Sequence, residues 1–219
     1  MSSKMIKDLV KKWREVVLHP KEIFKKENKA SSLSYGAKSV LLSGIISAII
    51  IVLLGIVSPT SITRFEPLFG QDATVAIAIF TLIFIPVFSV VGWLIVSGIF
   101  YLFAKLLEGK GTFVSQSHAV ALVNSAFGIV STILSVIISL VVLSSPGASL
   151  IVQTTAGVAL SIYNLYVITI ALKNVHKYST LHALITWVIP VIIFLLIVFL
   201  LGILLLSAVA TSSITSFAF

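Results

Sequence analysis

The chain has 219 residues, of which 58% are hydrophobic and only 10% charged, and its mean hydropathy is +1.18. A water-soluble core of this length cannot hide that much apolar surface, so the composition excludes an ordinary soluble domain and specifies several membrane spans. The formal net charge of +8 suits an anionic bilayer surface better than nucleic acid, and the lack of cysteine excludes disulfides, thiolate metal sites and a cysteine nucleophile.

In residues 4–17, Met5, Ile6, Leu9, Val10, Trp13, Val16 and Val17 recur every three or four positions, which places them on one helical face. Lys4, Lys7, Lys11, Lys12 and Arg14 fill the opposite face. The pattern predicts an amphipathic helix in the plane of an anionic membrane, with Trp13 at headgroup depth, and a partner-binding helix has the same pattern. Pro20 is expected to end this helix. Residues 21–38 then read as a basic connector whose lysines are drawn to anionic lipid by about 1 kcal/mol each. The first apolar run lies behind this long basic arm, and no small-residue cleavage site ends a short apolar core, so no secretory leader is expected.

Five apolar runs follow, at about 37–57, 73–104, 117–143, 149–172 and 183–210. Each is at least as long as the ~20 residues a helix needs to cross a bilayer. Pro86 and Pro190 fall inside the second and fifth runs and predict a kink or tilt. A break at Pro86 leaves a piece too short to cross, so five spans are expected rather than six. The predicted fold is an all-α polytopic membrane protein: a cytosolic amphipathic and basic arm over 1–36, and a five-helix bundle over 37–219.

Charge predicts the orientation. The arm up to Lys38 holds ten of the fifteen Lys and Arg residues; Lys105 and Lys110 follow the second run, and Lys173 and Lys177 follow the fourth. The loop 58–72 carries only Arg64 against Glu66 and Asp72, and neither the turn holding Pro146 and Gly147 nor the tail is charged. By the positive-inside rule the amino terminus is cytosolic and the carboxyl terminus outside.

The third and fourth runs read as an antiparallel hairpin with small polar stripes. Asn124, Gly128, Ser131, Ser135 and Ser139 recur in one, and Gly157, Ser161 and Asn164 in the other. Small residues let helices approach in lipid, and amides and hydroxyls bond across the contact for about 1 kcal/mol each. These residues are expected to be intramembrane packing positions, with Asn124 and Asn164 facing one another; the alternative is a lined path. Gly44 and Ala48 form a similar small pair in the first run.

No Asp or Glu lies inside any run, which disfavours a coupled transporter. There is no H-E-x-x-H zinc signature and no phosphate-binding Walker loop. His118, His176 and His182 fall near the cytosolic side without the ligand spacing of a metal site, so no metal and no cofactor are expected. Lys173, His176 and Lys177 are topology anchors first, and contacts for lipid phosphate or an acidic partner second.

HPKEIF after the amphipathic arm, GKGTFVSQSHAVALVNSAF opening the third run, and YNLYVITIALKNVHKYSTLHA between the last two together resemble the Yip family of five-span proteins. The resemblance rests on Gly109, Gly111, Phe113 and Gln116, then on Lys173, Val175, His176, Ser179 and Ala183. It is greatest to short prokaryotic members, archaeal ones especially. Eukaryotic members imply a role in early secretory traffic through Rab-type GTPases, partner Yip proteins and membrane shaping. This chain lacks their long amino-terminal domain and D-L-Y-G-P motif, so GTPase binding is not implied, and Asn124-Ser125-Ala126 stands where a proline is frequent.

The expected function is a non-enzymatic membrane organiser or adaptor, with a channel or lipid-handling protein as the alternative. The expected partners are anionic headgroups and, through helix faces, a second copy or another membrane protein; nucleic acid is not among them. The implied location is the cytoplasmic membrane in a prokaryote and the early secretory pathway in a eukaryote.

Overall fold

The computed structural model describes residues 1–27, 30–57, 73–144 and 149–216, and within them every regular element is a helix. Two short helices, α1 (Ser3–Leu18) and α2 (Pro20–Glu27), precede five long ones: α3 (Leu33–Val57), α4 (Ala73–Leu106), α5 (Phe113–Ser144), α6 (Ser149–His176) and α7 (Thr180–Ser216). All five long helices are apolar and long enough to cross a membrane, so the all-α, five-span polytopic fold expected above is the fold observed. The loop 58–72 with Arg64, Glu66 and Asp72, the turn with Pro146 and Gly147, and residues 217–219 lie outside the described residues.

The helices extend beyond the apolar runs where polar caps prolong them. Thr112 and Ser115 cap α5 reciprocally, the Ser115 amide donating to Thr112 Oγ1 at 3.1 Å and the Thr112 amide to Ser115 Oγ at 3.0 Å. Ser179 Oγ accepts the His182 amide at 3.2 Å and caps α7. Pro20 ends α1 as expected, yet it also starts α2, where its missing amide hydrogen costs nothing. Part of the expected connector is therefore helical. Pro86 lies within an unbroken α4. Gly44 of α3 meets it, since a Cβ there would lie 3.0 Å from Pro86 Cα.

Helix α5 is the centre of the bundle and packs against α1, α3, α4 and α6. Its first half is almost wholly buried from Ser115 to Phe127, except for Asn124. The buried faces of its neighbours follow helical spacing, as in Gly36, Val40, Gly44 and Ala48 of α3 or Pro86, Trp93, Ser97 and Ala104 of α4. By contrast, among the α7 residues whose burial is described only Ala183 and Thr186, near its base, are buried; no side chain from Trp187 to Ser207 is.

Candidate functional site

Helix α1 lies on the bundle. Its apolar face buries Leu9, Trp13 and Val16 in the same core as α5 and α6 residues. Trp13 is covered by protein rather than by lipid headgroups: it is 5% exposed, and its indole Nε1 donates to Ser39 Oγ at 2.8 Å, which in turn donates to Ser125 Oγ at 2.8 Å. The expectation fails because the same spacing that suits a lipid surface suits a protein groove, and an indole N–H is better satisfied by a buried hydroxyl.

Lys12 is also an internal residue rather than a surface contact. Its ammonium sits 2.9 Å from Glu27 Oε2 and 3.5 Å from Asp8 Oδ2, and 4.4 Å from the centre of the Tyr35 ring. Tyr35 donates to Asp8 at 2.5 Å. Glu27 reaches in turn to His118 Nε2 at 3.0 Å, across 91 residues of chain. A carboxylate oxygen only accepts, so Nε2 carries a proton, while Nδ1 meets the Ser32 backbone. Burial pushes the Glu27 carboxyl upward, but the bonds from His118 and Lys12 outweigh it and hold the group below its ordinary 4.5. One carboxylate thus ties α1, α2 and α5 together.

The second cluster is built on His176, fully buried at the end of α6 and so not a surface contact. The Gly111 amide donates to Nδ1 at 3.2 Å, which leaves Nε2–H to donate to Gln116 Oε1 at 2.7 Å. Gln116 Nε2 donates onward to the Ser97 carbonyl at 2.8 Å, and the Lys110 amide to the His176 carbonyl at 3.1 Å. Both glycines are sterically required. A Cβ on Gly109 would lie 2.5 Å from His176 Nδ1, and one on Gly111 would lie 2.6 Å from Val175 Cγ1. Gly109, Gly111, Gln116, Val175 and His176, five of the residues that carried the family resemblance, therefore form one buried joint between α4, α5 and α6. Among the described residues no three His, Asp or Glu side chains are grouped to hold a metal.

Between the two clusters lies a cleft of about 660 Å³, walled by α2, the loop ahead of α5 and the end of α6. Lys25, Lys110 and Lys177 line it with Phe24, Ser31, Thr112, Ser115 and Val175. Sequence reasoning singled out Lys177, read Lys25 and Lys110 only as general basic charge and His118 as an interfacial histidine, and gave Glu27 no role. The Thr112-x-x-Ser115 cap was a readable signal for the cleft wall; nothing local announces contacts spanning ninety residues.

Lys7, Lys11, Arg14, Lys173 and Lys177 are exposed, and Lys173 Nζ also donates to Thr180 Oγ1 at 2.8 Å. Most of the polar stripe is not covered by another helix of this chain. Asn124, Ser131, Ser135 and Ser161 are exposed, and a Cβ on Gly128 or Gly157 would meet nothing within 4 Å. Ser135 Oγ donates to the Ser131 carbonyl at 2.9 Å, so the hydroxyl is satisfied by its own helix and gives no cross-helix bond. Asn124, Gly128, Ser131, Ser161 and Asn164 do line a common open groove of about 300 Å³, whereas Ser135 and Gly157 lie outside its lining.

No curated protein and no solved structure matches the chain. A family model described as the Yip1 domain matches residues 14–211, which takes in the last third of α1, all of α2 to α6 and most of α7. An integral membrane protein with this match over nine-tenths of its length belongs to the Yip1 domain family.

Proposed function

We propose that the chain is a non-enzymatic membrane organiser or adaptor whose basic end, with the amino terminus, faces the cytosol and whose carboxyl terminus lies outside. One observation carries the reading: among the described residues every Lys and Arg belongs to the arm or to the ends of α4 and α6 nearest it, and twelve of them are exposed. The Glu27 and His176 clusters hold that end in one arrangement, so a partner or an anionic lipid surface meets a preformed platform and loses little ordering entropy on binding. Expected partners are anionic headgroups, a second copy or another membrane protein.

Proximity labelling from an amino-terminal fusion in the native cell tests the adaptor role. The combined change Lys7→Glu, Lys11→Glu and Arg14→Glu is expected to remove cytosolic-side neighbours from the labelled set; an unchanged set refutes the reading. A membrane-impermeant thiol reagent should label Lys4→Cys only after the membrane is opened, and Ser216→Cys without opening.

The groove holding Asn124 and Asn164 favours a second reading, a path for a polar solute or headgroup. Flux through vesicles containing the purified protein, abolished by Asn124→Leu with Ser131→Ala, would establish it. Cysteines at positions 124 and 164 are expected to be bridged by a short bismaleimide, because both side chains line that groove.

A further inference from the structure

We propose that the cleft between α2, the loop ahead of α5 and the end of α6 binds a phosphate-bearing anion, presented by a lipid headgroup or free in solution. The inference deepens the adaptor reading and rests on it for the side of the membrane on which the anion is found.

Three cations from three separate elements share this cleft: Lys25 from α2, Lys110 from the loop and Lys177 from just beyond α6. Among the described residues no carboxylate comes within 4.0 Å of any of them, although Lys12, also in the arm, is held by two. Like charges around a concave wall repel one another and concentrate a positive potential, and a bound anion relieves both effects. The cleft volume of about 660 Å³ falls in the range of small-ligand sites.

The backbone beneath two of these lysines is fixed. The Lys110 amide is bonded to the His176 carbonyl, and Lys177 sits in the left-handed region at φ 55°, directly after the buried His176. Thr112 and Ser115 line the wall at the start of α5 with their hydroxyl protons committed to each other's cap, so this end contributes the positive potential of the helix dipole rather than free donors. Lysine acts as a compact point charge toward phosphate, and the multiple oxygens of a phosphate can engage several such donors at once. With three lysines and no acid on its lining, the cleft offers nothing to a cation. Phe24 and Val175 give it an apolar side on which the first carbons of a headgroup can rest.

The test uses the full-length protein, delipidated in neutral detergent. Native mass spectrometry is run with short-chain phosphatidylglycerol and, separately, phosphatidylcholine, while ³¹P line broadening follows inorganic phosphate. Phosphatidylglycerol should bind in preference to phosphatidylcholine, and Lys110→Ala with Lys177→Ala should weaken it by about fivefold per lysine. Lys25→Ala with Lys110→Ala carries the same expectation should the first pair fail to fold. Lys7→Ala with Lys11→Ala removes two platform charges outside the cleft and should weaken binding by less than either cleft pair. Inorganic phosphate bound with the same lysine dependence, and no preference between the lipids, supports the site with a free anion as its occupant. Overturning results are the absence of binding by any phosphate probe, binding of a glutamate-rich peptide alone, or equal losses in the Lys7/Lys11 control. That last result leaves the basic platform standing as a diffuse surface; loss of neighbours in the labelling experiment with phosphate binding intact would keep the cleft and move the partner elsewhere.

Discussion

The two halves of α5 use the same small polar residues to opposite ends. In the first, Gln116, His118 and Ser125 are buried and bonded to α6, Glu27 and α3 respectively, so each hydrogen bond joins elements distant in sequence. In the second, Ser135 and Ser139 are bonded to carbonyls of their own helix, four residues back. A serine in a membrane helix holds a bundle together only when a neighbour meets it before its own backbone does. Thr132 does both, bonding the Gly128 carbonyl and lying 2.8 Å from Ser47 of α3, and it marks the boundary between the two halves.

The contrast is tested hardest at His176. His176→Ala leaves Gln116 and the Gly111 amide without their partner and opens a cavity, so thermal unfolding in detergent should register a loss of about 3–4 kcal/mol. Gln116→Leu should destabilise less, because it removes the bond but keeps the volume. Glu27→Gln comes next, at about 2 kcal/mol, since Lys12 loses its carboxylate and the His118 bond becomes neutral; limited proteolysis should then cut within α1 sooner than in the parent protein. Because the folded carboxyl lies below its ordinary 4.5, its contribution is fully present above pH 4.5 and is lost as the pH falls through the folded value. Arm docking followed by the Trp13 emission should weaken on that acid side and not between pH 6 and 8.

Glu108 reverses the sign. It occupies the left-handed position of the α4 terminus at φ 60°, while the Gly109 amide bonds the Ala104 carbonyl at 2.8 Å and its own amide the Lys105 carbonyl at 3.0 Å. Glu108→Gly should therefore raise stability by about 1 kcal/mol. Ser135→Ala is expected to change it by less than 0.5 kcal/mol, roughly the scatter of exposed positions. A loss of 1 kcal/mol or more there would erase the distinction between the halves of α5.

Five spans and their approximate limits could be read from the sequence because length and hydropathy depend on contiguous residues. Pro86 did not mislead for the same reason: the run ahead of it was too short to cross alone. Contacts between elements could not be read in this way. The spacing of Leu9, Trp13 and Val16 announced an apolar face, but whether lipid or protein covers it depends on Ser39 and Ser125, far along the chain. That the polar stripes are largely uncovered within this chain could not be read either, because periodicity shows which residues share a face and not whether a neighbour reaches it. The residues behind the family resemblance were legible as a pattern, and the structure supplies their reason in steric terms: two glycines, a glutamine and a histidine that fit only one another.

Helix α7 is attached to the rest of the protein chiefly through its base, where Trp187 Nε1 donates to Thr169 Oγ1 at 2.9 Å and Tyr178 bonds Thr186 at 2.6 Å. Its 37 residues make a rod of about 55 Å, against roughly 30 Å of hydrocarbon. A rod so long outruns the hydrocarbon and must tilt or emerge from it, and its contacts with α4 and α6 set the direction in which it leans. With none of its apolar window buried by protein, the last helix is the one of the five that offers the surrounding lipid the most surface.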